Sequence, residues 1–355
     1  MIKAKDLKIS PLNEAFTIPS HWYYDEKVFK IEKEQVFLKS WHLLGSEKIV
    51  KNCGDSVIKE VFNQPVIITR QEDNTIKAFY NVCKHRAGPL VNKGKNIKFF
   101  QCKYHGWTYH IDGRLKSIRE FKDVKNFNYK DYNLKSLNIR VWQGLIFINF
   151  KRHKDNFNLI LSEISNQIKP IDFSSYTFHK TVSYDIKCNW KTYIDNFLEG
   201  YHIPFVHPKL NKLIDYKSYK TELFKNYSLQ SAPIDPTLSP YDKSKETGNT
   251  AFYYTIFPNI LLNIAPGRLQ TNVIEPKSAN SCTVYFDYYF EKNDQSLIES
   301  DTSFSDEIQL EDIEICERVQ KGLESQGYEQ GRISPQSEQG LYHFQSILKE
   351  KLENG

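Results

Sequence analysis

Two short runs in this chain have the residue types and spacing of metal ligands. They are Cys83-Lys84-His85 and Cys102-Lys103-Tyr104-His105, with sixteen residues between His85 and Cys102. Thiolate and imidazole are soft and borderline donors for iron or zinc, and close spacing lets one turn present both members of a pair. In a zinc finger cysteine pairs with cysteine and histidine with histidine. Here each pair is mixed, which suits a [2Fe–2S] centre whose one iron takes two cysteines and whose other takes two histidines. Two facing β-turns would deliver that set, with Gly88-Pro89 and Gly106-Trp107 as the turn residues beyond each pair. A zinc knuckle, or four unrelated buried residues, is the plainer alternative.

A second constellation lies downstream in GYHIPFVHP, which holds His202 and His207. Two histidines and one carboxylate are the usual ligands of a mononuclear Fe(II) that works on O2. On one continuous helix these histidines would point about 140° apart. Both reach one metal only if the backbone leaves helical form between them, and Pro204 supplies a reason. The third ligand follows from periodicity. In a helix predicted over Ser305–Leu323 the apolar stripe is Ile308, Ile315, Cys316, Val319 and Leu323, and Asp312 falls on it. Glu311, Glu314, Glu317 and Asp306 fall on other faces, where solvated carboxylates belong. A core-facing carboxylate must be paired or bound to a metal; a salt bridge is the alternative. Glu199 stands three positions before His202, so on one helix the two share a face and the acid can accept the free ring N–H. The alternatives are two metal-free loop histidines and an ordinary solvated glutamate.

These residues need elements to hold them. From Gly54 to Phe150, short β-rich runs alternate with turn signals at Asn63-Gln64-Pro65, Glu72-Asp73-Asn74 and Asp112-Gly113, the pattern of a small all-β domain. The last turn, between WTYHI and RLKSI, is a strong hairpin signal. Beyond it, Asn189–His202 carries bulky apolar residues at Trp190, Tyr193, Ile194, Phe197, Leu198 and Tyr201, the spacing of one helix face. Aromatic-rich strands follow (AFYYTIF, NILLNIA, LQTNVIE, CTVYFDYYF), and residues 231–250 read as a mobile surface loop rich in Pro, Ser and Thr. Helices and strands that do not alternate regularly argue for an α+β second domain. The domains predicted are an N-terminal segment at 1–40, a cluster domain at 41–155 and a catalytic domain at 156–355.

CKHRAGPL and CKYHGWTYHIDGRL resemble the cluster loops of Rieske non-haem iron oxygenases, large (α) subunit, and the resemblance runs over nearly the whole chain from Ile18-Pro19 and Trp41-His42 onward. It implies a small all-β Rieske [2Fe–2S] domain ahead of a helix-grip catalytic domain with an antiparallel sheet and flanking helices. It implies Cys83, His85, Cys102 and His105 as cluster ligands, His202 and His207 as ligands of a mononuclear Fe(II), and Asp312 as its third, since QLEDIEICERVQKGL looks like the family's C-terminal helix. In the family the acid matching Glu199 also bonds a cluster histidine, here His105, from the neighbouring subunit of a homotrimer, and so bridges the metals for electron transfer. Most members have aspartate there. Glu199 is a departure that resembles the subgroup acting on carnitine, choline and glycine betaine. Asp195, one turn earlier, is an alternative bridge.

The implied activity is that of a terminal oxygenase. It would use O2 and electrons from NAD(P)H, delivered by a separate reductase or ferredoxin, to hydroxylate a small quaternary ammonium or N-alkyl compound with C–N cleavage. Aromatic ring dihydroxylation or O-/N-demethylation is the runner-up, and a non-catalytic electron carrier the remote one. An aromatic cage for a trimethylammonium group is one reading of Phe252, Tyr254 and Phe257, although 22 Tyr and 23 Phe make core aromatics the default. No Gly-rich nucleotide fingerprint is visible, hence the need for a reductase.

Composition bounds the rest. A chain of 355 residues, 40% hydrophobic and 14% aromatic, can bury a core. A net charge of +5 is too small and dispersed for nucleic acid. The longest apolar run, VWQGLIFINF, is about half a bilayer span, and the N-terminus lacks a secretory apolar stretch. Six cysteines at 53, 83, 102, 188, 282 and 316 make no disulfide scaffold. A cytoplasmic enzyme is expected.

Overall fold

A computed structural model describes residues 2–90, 94–151, 156–235, 237 and 249–353. The chain divides into two compact units, one of Met1–Phe37 with Asn156–Gly355 and the other of Leu38–Asp155.

The described residues of the Leu38–Asp155 unit form nine strands in three small antiparallel sheets. β1 (Trp41–Ser46), β8 (Asn138–Trp142) and β9 (Leu145–Asn149) form one sheet in the order β1-β9-β8. β2 (Ser56–Val61), β3 (Gln64–Arg70) and β4 (Ile76–Tyr80) form the second, and β5 (Phe99–Gln101), β6 (Thr108–His110) and β7 (Leu115–Ser117) the third. The first predicted turn falls one step early, on Phe62-Asn63, both with positive φ, because Gln64 and Pro65 already belong to β3. At Asp112-Gly113 the hairpin between β6 and β7 forms, with Asp112 Oδ1 accepting the Arg114 N–H at 3.0 Å. Gly113 has φ +91, and a Cβ there would meet the Phe79 ring at 2.4 Å, so two constraints fix glycine.

The larger unit is built on a seven-stranded antiparallel sheet. Its strands are β10 (Thr177–Ile186), β11 (Lys220–Phe224), β12 (Tyr227–Pro233), β13 (Thr250–Ile256), β14 (Ile260–Ala265), β15 (Arg268–Ser278) and β16 (Ser281–Phe290), in the order β10-β16-β15-β14-β13-β12-β11. The central β14, ILLNIA, is buried at every position, as a strand covered on both faces must be. Around the sheet lie α1 (Glu26–Gln35), α2 (Phe157–Gln167), α3 (Trp190–Phe197), α4 (Ile203–Val206), α5 (Pro208–Leu213), α6 (Gln295–Leu323) and α7 (Gln339–Glu353). This α+β unit and the all-β cluster unit are the fold class expected. Of the 231–250 segment, Ser231–Pro233 close β12; residues 236 and 238–248 lie outside the described residues.

Two helices differ from the sequence reading. α3 stops at Phe197, before Glu199, so Glu199 and His202 are not on one helix. Pro204 does not break a helix either; it sits in the first turn of α4, where its missing N–H costs nothing. α6 begins ten residues earlier than predicted, with Asp294 capping it by accepting the Leu297 N–H at 3.2 Å. Val319, placed on its apolar stripe, is exposed. The inward residues of α6 include Asp301, Thr302, Gln309, Cys316 and Gln320, a face largely without apolar periodicity.

Candidate metal centres

The cluster loops repeat one backbone device. In the first, the Cys83 N–H donates to Gly88 O and the Ala87 N–H to Cys83 O; in the second, the Cys102 N–H donates to Trp107 O and the Gly106 N–H to Cys102 O, all at 2.9–3.0 Å. The fourth residue after each cysteine has positive φ, Ala87 at 56° and Gly106 at 72°. The left-handed position of the first loop is therefore Ala87 and not Gly88. Gly88 has a different duty, because a Cβ on it would lie 2.8 Å from Cys102 Sγ. The loops face each other closely enough that only hydrogen fits there.

Cys83 and Cys102 are buried, with the Cys83 Sγ 3.4 Å from the Tyr109 hydroxyl. The His85 and His105 rings are 4.6 Å apart, and His85 stacks on Trp107 at 4.8 Å. His85 Nδ1 is buried without a hydrogen-bond partner among the described residues, as a ligand atom would be. Burial, with His105 and Arg86 nearby, lowers the His85 pKa, a shift toward the neutral imidazole that can bind metal. Two thiols, two neutral-capable imidazoles and an orphaned ring nitrogen fit a [2Fe–2S] cluster with mixed ligation.

The second centre forms where the chain leaves α3. The Asn189 side chain caps α3 by accepting the Lys191 N–H at 2.8 Å, and Trp190 Nε1 and Lys191 Nζ both reach Glu32 of α1, at 2.9 and 2.7 Å. At its other end Gln230 Nε2 donates to Phe197 O at 2.8 Å. Gly200 follows, where a Cβ would meet the Tyr219 ring at 2.8 Å. In this turn Glu199 Oε2 accepts the His202 N–H at 3.0 Å, while Oε1 lies 2.7 Å from His202 Nδ1. Glu199 therefore holds His202 by a turn and not by a helix face.

His202, His207 and Asp312 each offer a ligand atom, and these atoms lie within 4.8 Å of one another. Asp312 Oδ1 is 3.0 Å from His207 Nε2 and 3.8 Å from His202 Nε2. Asn196 Nδ2 donates to the same oxygen at 2.6 Å. Each histidine turns Nε2 inward and rests Nδ1 on a carboxylate, Glu199 for His202 and Glu311 for His207, the latter at 2.7 Å. That fixes the tautomer a metal needs. Burial would lower His207, but Asp312 and Glu311 outweigh it and the net shift is upward. The donor set fits a mononuclear Fe(II) with open positions.

Glu311 thus corrects the reading of its face as solvent. Asn196 was also missed; both depend on how α6 lies over the turn after α3, which no local pattern encodes. Asp306 accepts the Tyr184 hydroxyl at 2.7 Å and Glu317 the Lys187 N–H at 3.0 Å, so neither is merely solvated. Asp195 is held elsewhere, by the Tyr23 hydroxyl at 2.5 Å and Gln345 Nε2 at 3.2 Å, and burial pushes it up to about 7.

The three candidate ligands open into a pocket. Its walls include Tyr193, Phe197, Tyr219, Tyr253, Phe286 and Phe304. Phe252, Tyr254 and Phe257 are not among them. Strand alternation sends Tyr253 to the pocket, while Tyr254 is buried with its hydroxyl on Gln167 and Phe257 packs on Phe344.

Residues 40–128 match the Rieske [2Fe-2S] domain family and residues 173–354 the catalytic domain of the ring hydroxylating alpha subunit. The chain is 31% identical to the chloroplastic choline monooxygenase of Arabidopsis thaliana, over 96% of this chain and 84% of that one. It is 30% identical to the carnitine monooxygenase oxygenase subunit of Escherichia coli K12, over 94% and 93%. The structure of the quaternary ammonium Rieske monooxygenase CntA with L-carnitine superposes with a TM-score of 0.84 at 25% identity, covering 99% of both chains. Naphthalene 1,2-dioxygenase shares the fold, with a TM-score of 0.75 at 20% identity over 97% of this chain and 94% of that one.

Proposed function

This chain belongs to the Rieske non-haem iron oxygenases as an α subunit, and we propose that it hydroxylates a carbon attached to the nitrogen of a quaternary ammonium compound, with C–N cleavage. The carrying observation is that His202, His207 and Asp312 converge at a pocket walled by aromatic rings. Aromatic faces attract a desolvated cation by about 0.5–2 kcal/mol each, and Glu199 and Asp312 add negative charge at the iron end.

Cys83, His85, Cys102 and His105 would hold the cluster, and His202, His207 and Asp312 the mononuclear iron. When bound, the cluster supplies electrons singly and the mononuclear iron supplies the activation of O2. The protein's own part is positional. Glu199 fixes His202 through two contacts, Glu311 fixes the His207 ring, and Asn196 orients Asp312. The aromatic walls exclude water and set an N-alkyl carbon toward the ligands. Once that carbon carries a hydroxyl, the adjacent cationic nitrogen is a good leaving group, and loss of the hydroxyl proton yields a carbonyl and a tertiary amine.

Glu199 is the bridge in this reading, since it and not Asp195 touches His202. A homotrimer in which Glu199 meets His105 of the next subunit, fed by a separate NAD(P)H-dependent reductase or ferredoxin in the cytoplasm, completes it. The solved quaternary ammonium Rieske monooxygenase has inter-subunit electron transfer. Among the described residues no helix is long and apolar enough to cross a membrane.

Purified protein with a surrogate reductase and O2, screened by mass spectrometry against carnitine, choline, betaines and aromatic acids, tests the proposal. A carbonyl product and a tertiary amine from a quaternary ammonium compound are expected. Oxidation of aromatic acids alone would overturn it.

A further inference from the structure

We infer that Gln309 donates a hydrogen bond to the non-protein ligand in the open position of the mononuclear iron, and so to O2 as it binds. This deepens the proposed function and rests on it. Gln309 stands one turn before Asp312 on α6, so the two side chains share a face of the helix, and both line the pocket. On α3, Tyr193 and Asn196 are also one turn apart. Two rungs join the helices. Asn196 Nδ2 donates to Asp312 Oδ1 at 2.6 Å, and the Tyr193 hydroxyl donates to Gln309 Oε1 at 2.7 Å. The first rung aligns a candidate iron ligand, and the second aligns an amide beside it.

The second rung carries a spare donor. Gln309 is 2% exposed, and its Nε2 has no hydrogen-bond partner among the described residues. Turning the amide over makes matters worse: Tyr193 would then accept from Nε2, and both the phenol proton and Oε1 would be left unmet. Other polar groups of the pocket are matched to one another. Arg268 Nε lies 3.3 Å from Asp301 Oδ2, while Gln270 accepts the Ser305 hydroxyl at 2.9 Å and donates to Asn272 Oδ1 at 2.8 Å. Asn263 Oδ1 is also unmet, but it is an acceptor and belongs to the sheet side of the pocket. A buried donor without an acceptor is costly unless a ligand meets it.

The reacting end of the substrate cannot be that ligand. A quaternary nitrogen has no lone pair, its alkyl groups accept no hydrogen bond, and its positive charge repels the positive end of an N–H dipole. The acceptor left at this end of the pocket is the water or oxygen that fills the open position of the iron, on which negative charge builds as electrons arrive. A fixed donor aimed at that charge is the usual device for stabilising it. Phe304 and Ile308 line the same pocket, and in apolar surroundings such a bond is stronger than in water.

The test is anaerobic binding of nitric oxide, a stand-in for O2, to the Fe(II)-loaded full chain with its cluster oxidised and no substrate present. Binding is followed by the EPR signal of the iron–nitrosyl unit and expressed per mononuclear iron. Gln309→Leu is expected to weaken it about tenfold, the effect of one buried hydrogen bond. Because Gln309→Leu also strands the Tyr193 hydroxyl, Gln309→Glu is the companion variant: it keeps an acceptor for Tyr193 and puts an oxygen where the N–H was. A side chain that only holds Tyr193 would let Gln309→Glu bind nitric oxide as the wild type does. A donor makes Gln309→Glu as weak as Gln309→Leu, or weaker. Wild-type affinity in either variant would overturn the role of Gln309 and leave the quaternary ammonium reading, which the product screen decides, standing. No nitrosyl signal from the iron-loaded wild type would overturn the mononuclear centre and both readings with it.

Discussion

At the scale of single residues, the proposed mononuclear site is a pair of histidines each leaning on a carboxylate, and the two supports have different duties. Glu311 rests on the His207 ring nitrogen, so its effect is on orientation. Glu311→Ala is expected to weaken iron retention against a competing chelator by about 10–100-fold, the range seen when an outer partner of a metal-bound histidine is lost. Glu311→Gln should recover part of this, since an amide oxygen still accepts the Nδ1–H. Glu199 contacts both the backbone and the ring of His202. If it also carries the electron, Glu199→Ala should leave dithionite reduction of the cluster intact, followed by its visible spectrum, while O2-coupled product formation collapses. Normal turnover would move the route elsewhere. Asp195 is then a weak substitute, buried away from His202 with its Oδ2 held by Tyr23 and Gln345.

At the scale of elements, each metal centre depends on a turn whose geometry a single methyl would disturb. Gly88→Ala puts carbon 2.8 Å from Cys102 Sγ. The expected outcome is loss of acid-labile sulfide and of the visible absorbance, with iron falling from about three per chain to about one. Retention of three would show that the loops can separate without losing ligation. The same contrast between turn and packing explains what the sequence made legible. The Cys83/His85 and Cys102/His105 pairs are local, so spacing alone exposed them. His202 and His207 were found by type, but the supposed shared helix with Glu199 ended at Phe197. Asp312 was reached through an apolar stripe that proved partly polar, since Val319 is exposed and Gln309 is buried. The first ten residues of α6, QSLIESDTSF, bury Asp301 and Thr302 beside Ile298, and hydrophobic periodicity is silent where the inward face is polar. Glu311, Asn196 and Arg268 belong to contacts made across elements distant in the chain, which one sequence does not display.

At the scale of the whole molecule, two iron centres of different chemistry sit on two separately compact units of one chain. A cluster on one unit can serve an iron on the other within the same chain or in a neighbouring copy, and the two arrangements predict different behaviour in mixtures. Gly88→Ala is expected to remove the cluster and spare the proposed mononuclear ligands, and His202→Ala to do the reverse. Each variant alone should be inactive. If electrons cross between subunits of a cyclic trimer, co-expression of the two should restore activity, up to about a third of wild type in the mixed trimers, because one of the three directed contacts in each joins an intact cluster to an intact iron site. If electrons stay within one chain, no mixture of these variants regains turnover, however the subunits assort. Product formation by the co-expressed, tag-separated hetero-oligomer, with each homo-oligomer as control, decides between them.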